Sequence, residues 1–188
     1  MSRLIVLLLV LATALPARAD DRPRAGLMWN RSGLPATLPL VVATPPGRDH
    51  AVFLGDAEGR DVMAGYIRGG EFFRLLVPPG SWQVRFAHGD GWKNDDALFG
   101  DETEWTRIEE PLAFGAGIAR RHGHIIRLIE RDGRTQVASL GPLDQCQAVT
   151  VTTEVIDLDD ERDDPNRLPA PGLRRLEIDV DTRSRVCG

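Results

Sequence analysis

Apolar residues recur at every second position through most of this chain, and turn-forming residues separate the runs. In Glu71–Val77, Phe73, Leu75 and Val77 share one face and Phe72, Arg74 and Leu76 share the other. In Ser81–Ala87, Trp82, Val84 and Phe86 oppose Gln83 and Arg85. A period of two is the mark of a half-buried strand. Leu38–Ala43, His50–Leu54 and Asp61–Arg68 are short apolar runs of the same kind, and Ala57–Arg60 reads as the hairpin turn between the last two. Gly69-Gly70 and Pro78-Pro79-Gly80 break the chain, the prolines by fixing φ and the glycines by permitting φ > 0.

The second half repeats this grammar. His124–Arg131 and Arg134–Leu140 flank Asp132-Gly133, a strong hairpin signal. In Ala148–Ile156, Val149, Val151, Thr153 and Val155 lie opposite Thr150, Thr152 and Glu154; in Arg174–Asp181, Leu176, Ile178 and Val180 lie opposite Arg175, Glu177 and Asp179. No segment keeps a 3.6-residue apolar period, so at most one helical turn is expected, near Asp95–Phe99 or Ala113–Arg121. The predicted fold class is mainly β: an antiparallel β-sandwich or small barrel with little helix, in which Trp82, Val84, Phe86 and Val149 are buried between layers.

The ends modify this picture. Arg3, the apolar run Leu4–Ala14 and the small-x-small site Ala17-Arg18-Ala19 have the layout of a secretory leader cut after Ala19, and the run is short for a membrane span. Residues 20–37 are polar and broken by Pro and Gly. They read as a flexible N-terminal arm, with Leu27, Met28 and Trp29 available to dock onto the domain. Residues 38–188 then form a single domain, and localisation is expected to be periplasmic or secreted. Cys146 and Cys187, a lone pair in an oxidising compartment, read as a disulfide tying the last two strands together over residues 146–188.

Charge excludes one class of partner. The leader holds two arginines and no acid, so the net charge of −5 becomes −7 after cleavage, with no basic stripe. Phosphate backbones need Lys and Arg to neutralise them, and nucleic acid is therefore a poor partner. The acidic, Pro-bearing run Asp157–Pro171 reads as a solvated loop.

Residues 39–114 carry a resemblance. Ile67-Arg68-Gly69-Gly70, Val77-Pro78-Pro79-Gly80-Ser81-Trp82, Arg85-Phe86-Ala87, Trp92, Leu98-Phe99-Gly100 and Thr103 resemble the pattern of an uncharacterised family of small exported bacterial β-domains, in which Tyr is commoner at the positions of Trp82 and Phe86. The Val77–Val84 hairpin is also similar to one found in transthyretin-like and carboxypeptidase-regulatory-type sandwiches. The resemblance implies a β fold and carries over no catalytic role.

Candidate chemistry centres on the Gly89–Thr103 loop. Asp90, Asp95 and Asp96 offer oxygens of the kind calcium takes, and Trp92 offers a ring for a sugar or peptide, but the EF-hand spacing is absent. The competing reading is that Trp92, Leu98 and Phe99 plug one end of the domain while the aspartates cap turns. His122 and His124, two apart on a strand, share a face and can ligate a transition metal if His50 or His88 approaches; the plainer reading is a polar bend. No G-x-S-x-G occurs, and Ser81 and Ser139 fall in strand or turn positions. No motif requires a cofactor; calcium is the ion the loop suits. The leading expectation is a non-catalytic exported β-domain that binds another exported protein or an envelope component, with Trp92, Asp95, Asp96 and Phe99 as binding residues. The alternatives are a calcium- or carbohydrate-binding module and a hydrolase whose triad is dispersed in sequence.

Overall fold

A computed structural model describes residues 22–157 and 174–187. The residues read as a leader and most of the acidic Asp157–Pro171 run lie outside the described residues. Among the described residues there are eleven strands: β1 (Gly26–Asn30), β2 (Leu38–Ala43), β3 (Asp49–Gly55), β4 (Asp61–Ile67), β5 (Phe72–Val77), β6 (Gly80–Gly89), β7 (Glu104–Arg107), β8 (Leu112–Gly117), β9 (Arg120–Arg131), β10 (Arg134–Asp157) and β11 (Arg174–Val186). They form one mixed sheet that curls into a nearly closed, barrel-like shape. One pairing departs from the antiparallel expectation: β2 runs parallel to β9, Leu40 opposite His124 through Ala43 opposite Arg127. Ala113–Arg121, expected to allow a helical turn, is extended in β8 and β9 because its ends pair with β6 and β10. A single 3₁₀ turn, Gly100–Glu102, follows the Asp95–Phe99 loop.

The two-residue period explains the barrel interior. Val52 and Leu54 of β3, Val84 and Phe86 of β6, and Phe73, Leu75 and Val77 of β5 all point into one cluster with Ile126 and Leu128 of β9. Each such side chain contributes about 1.5–3 kcal/mol by leaving water. The opposite faces of β3, β4 and β6 carry a second, smaller cluster: Ala51, Phe53, Ala64 and Ala87, covered by Leu98 and Phe99.

Two motifs acquire physical reasons. A Cβ on Gly69 would sit 2.1 Å from the Arg48 carbonyl oxygen, so the close approach of these backbones admits glycine alone, and the Gly69 amide donates to Asp49 Oδ1 at 2.9 Å. Gly80 takes φ +141 beneath the Trp82 ring, whose Nε1 donates to the Pro78 carbonyl at 3.0 Å. The Pro-Pro-Gly-Ser-Trp turn is thus closed by its own tryptophan.

Within the stretch read as an arm, Gly26–Asn30 is a strand paired to β4, Gly26 opposite Tyr66 and Asn30 opposite Met63. Met28 and Trp29 pack on the second cluster, and Arg68 Nε donates to the Pro23 carbonyl at 2.8 Å.

The largest departure from expectation concerns the C-terminal strands. Arg134–Leu140 and Ala148–Ile156, read as separate strands, belong to one 24-residue strand, β10. Its first half, to Cys146, pairs with β9; its second half pairs with β11 alone, Gln145 opposite Val186 through Asp157 opposite Arg174. Cys146 and Cys187 are bonded, with Cα atoms 5.2 Å apart, where the two-stranded ribbon leaves the barrel. Val149 is consequently 56% exposed rather than buried between layers. The alternation of β10 gives it an apolar face, but no other described strand lies over that face.

Candidate functional site

The Gly89–Thr103 loop folds back onto the barrel. Asn94 Oδ1 accepts from the amides of Asp96 (3.0 Å) and Ala97 (2.8 Å), forming an Asx turn, and the Lys93 amide donates to the Leu98 carbonyl at 2.7 Å. Leu98 and Phe99 are thereby driven into the outer cluster. Half-buried Trp92 lies edge-on between two rings, 4.8 Å from Tyr66 and 5.3 Å from Phe99 between centroids. Asp95 and Asp96 point into solvent on the other side of the turn. The four residues singled out from the sequence therefore divide, Trp92 and Phe99 inward and the two aspartates outward. Asp90 faces Arg48 at 3.8 Å. Among the described residues, no group of three or more His, Cys, Asp or Glu side chains is placed to hold a metal ion.

Beneath this loop lies a network that the sequence did not announce. Buried Asp49 accepts from Tyr66 Oη at 2.6 Å and from the Gly69 amide, and it faces Arg22 at 3.4 Å. Burial, then the hydrogen bond to Asp49, pushes the Tyr66 hydroxyl well above its ordinary pKa. The network fastens β3, β4 and the chain before β1 to one another.

The four histidines do not converge. His122 Nδ1 lies 3.0 Å from Asp144 Oδ1, whereas His124 Nε2 donates to the Ala113 carbonyl at 2.8 Å, so the two rings have separate partners. His50 and His88 pair across β3 and β6, their ring centroids 5.8 Å apart inside the barrel. Neither nitrogen of His50 has a hydrogen-bond partner; burial and the neighbouring His88 bring its pKa down to about 4. Burial lowers His88 as well, against the opposing pull of Glu104.

His88 comes closest to a catalytic grouping. Its Nε2 is 3.2 Å from Thr106 Oγ1, and its Nδ1 is 3.3 Å from Thr135 Oγ1 and 3.8 Å from Glu104 Oε2. The Thr106 hydroxyl, however, donates to the Thr135 carbonyl at 2.8 Å. The contacts form a closed circuit when Thr135 Oγ1 donates to His88 Nδ1, His88 Nε2 donates to Thr106 Oγ1, and Thr106 donates to the carbonyl. In that circuit the imidazole is neutral and the Thr106 proton is already committed, so His88 does not accept it as a general base would. A cleft of about 450 Å³ lies elsewhere on the wall, lined by Asp56, Asp61, Gln83, Arg85 and Arg107. Its carboxylates are already paired, Asp56 with Arg60 at 2.8 Å and Asp61 with Arg85 at 2.5 Å, although Asp61 Oδ1 is buried without a partner.

The feature that remains is the ribbon. Cross-strand register places Val149, Val151, Thr153 and Val155 beside Thr182, Val180, Ile178 and Leu176 on one face. The six aliphatic side chains among them are each 56–58% exposed. The other face carries Thr150, Thr152, Glu154, Glu177, Asp179 and Asp181. Single exposed apolar residues are ordinary, but a contiguous apolar patch on one face of a strand pair marks an interaction surface. The sequence showed the alternation that makes this face apolar, and among the described residues no further strand covers it.

Comparison with family models, with curated proteins and with solved structures finds no match to this chain. No helix among the described residues is long and apolar enough to cross a membrane.

Proposed function

We propose that this chain is an exported, non-catalytic β-domain that works by binding a protein partner, and that the β10–β11 ribbon supplies the binding face. One observation carries the reading: six aliphatic side chains, each more than half exposed, lie together on one face of a strand pair, over which no other described strand packs. The barrel fills its interior with its own side chains, so it serves as the rigid base from which the ribbon projects. Export is supported by the leader pattern of residues 1–19 and by the single pair of cysteines.

The test is a cross-linking capture with the mature protein against exported proteins. Val151→Asp with Val180→Asp should leave the barrel melt unchanged and abolish the capture seen with wild type. A wild type that captures no protein above background, a second copy of itself included, or a double variant that captures equally well, would refute the reading.

A further inference from the structure

We infer that the occupant of the ribbon's apolar face is a second copy of this chain, ribbon stacked on ribbon. The inference rests on the preceding reading that this face is a docking surface. Four observations lead to it.

A two-stranded ribbon is marginal in water unless its apolar face is covered. Beyond Gln147, β10 has β11 as its one partner strand, so the chain's own described strands supply no cover. The disulfide fixes the base of the ribbon and does nothing for its exposed face.

The area suits a self-contact. Val149, Val151, Val155, Leu176, Ile178 and Val180 are each exposed by 56–58%. At roughly 100 Å² apiece they offer about 600 Å² per copy, or ~1,200 Å² when two copies meet, which is the lower end of specific interfaces. Val186, 65% exposed and opposite Gln145, lies on the same face nearer the barrel, separated from the patch by the Gln147–Ser184 pair.

The shape suits it too. The register holds without a bulge from Ser139 to Asp157, so the apolar face is regularly pleated. Two such faces stack about 10 Å apart and interdigitate, as the two layers of a sandwich do. A two-fold axis brings the same residues to both sides, so one patch suffices.

The charges disfavour a lipid leaflet as the occupant. Glu154, Glu177, Asp179 and Asp181 occupy the opposite face, where they stay in water on the outside of a four-stranded stack. A lipid leaflet with anionic headgroups would repel those carboxylates and a mature chain whose net charge of −5 becomes −7 once the leader's two arginines are removed. The same charge makes two copies repel each other, so the contact should tighten as salt screens that repulsion.

Sedimentation velocity of the oxidised mature protein, from about 1 µM to about 100 µM, tests this. The expected result is a concentration-dependent monomer–dimer equilibrium that strengthens with sodium chloride. Val151→Asp with Val180→Asp should weaken it at least tenfold with the barrel melt and the disulfide mass intact. Thr150→Asp, on the opposite face, should leave it within a few-fold of wild type. A wild type that stays monomeric throughout, a dimer indifferent to the Val151 and Val180 changes, or vesicle co-sedimentation without dimers would overturn the inference. If wild type is monomeric yet the double variant loses capture of another exported protein, the second copy is wrong and the docking surface stands. If neither assay responds to the ribbon, both fail.

Discussion

Trp92 combines two roles that a sequence cannot separate, an exposed aromatic on a loop and a packing ring. Its edge-on contacts with Tyr66 and Phe99 make it part of the outer cluster. Trp92→Ala should therefore cost about 2–4 kcal/mol in a urea titration, because large-to-small changes lose both burial and packing. An unchanged midpoint would show that the ring contributes no stability. His50 makes a second residue-scale argument. Its folded pKa is about 4 against 6.5 unfolded, so the unfolded chain binds the extra proton. Stability is then complete above the unfolded value and is lost as pH falls from 6.5 toward 4. Linkage puts the loss at about 2 kcal/mol between about pH 7.5 and about pH 5, with His88 adding in the same direction. His50→Leu should flatten that slope; a slope unchanged by the substitution would contradict the argument.

At the scale of elements, the disulfide and the ribbon form one unit. The cysteines are 41 residues apart, and closing a loop of that size stabilises by roughly 4 kcal/mol in the chain-entropy model. Because the bond sits at the ribbon's base, Cys146→Ser with Cys187→Ser should loosen the ribbon first. Limited proteolysis should cut the variant between residues 147 and 185 while the barrel fragment stays intact. Simultaneous collapse of the barrel would show that the two elements are not separable. The β grammar of the barrel was legible from Trp82, Val84, Phe86 and the Phe73–Val77 alternation, because period two with turn residues between runs has one physical solution. The fate of Val149 was not legible. Alternation states that a face is apolar, and the same pattern serves a strand inside a barrel and a strand that leaves it. The parallel β2–β9 pairing was hidden for a similar reason, since it depends on which edges remain open after the hairpins close. The Asp49–Tyr66–Gly69 network was hidden because a lone Asp at a strand start gives no pattern.

For the whole molecule, the division of labour is between a filled barrel and an uncovered ribbon. Barrel strands carry hydrogen bonds and side-chain contacts on several sides, whereas the outer half of the ribbon has its partner strand and solvent. Local stability should follow that division. Hydrogen exchange, read segment by segment at a low and a high protein concentration, tests it most directly. The account expects slow, concentration-independent exchange over Val52–Leu54, Val84–Phe86 and Ile126–Leu128. It expects fast exchange over Val149–Val155 and Leu176–Thr182 in dilute protein that slows markedly on concentration. Ribbon amides as protected as the barrel's at both concentrations, or unprotected at both, would contradict it.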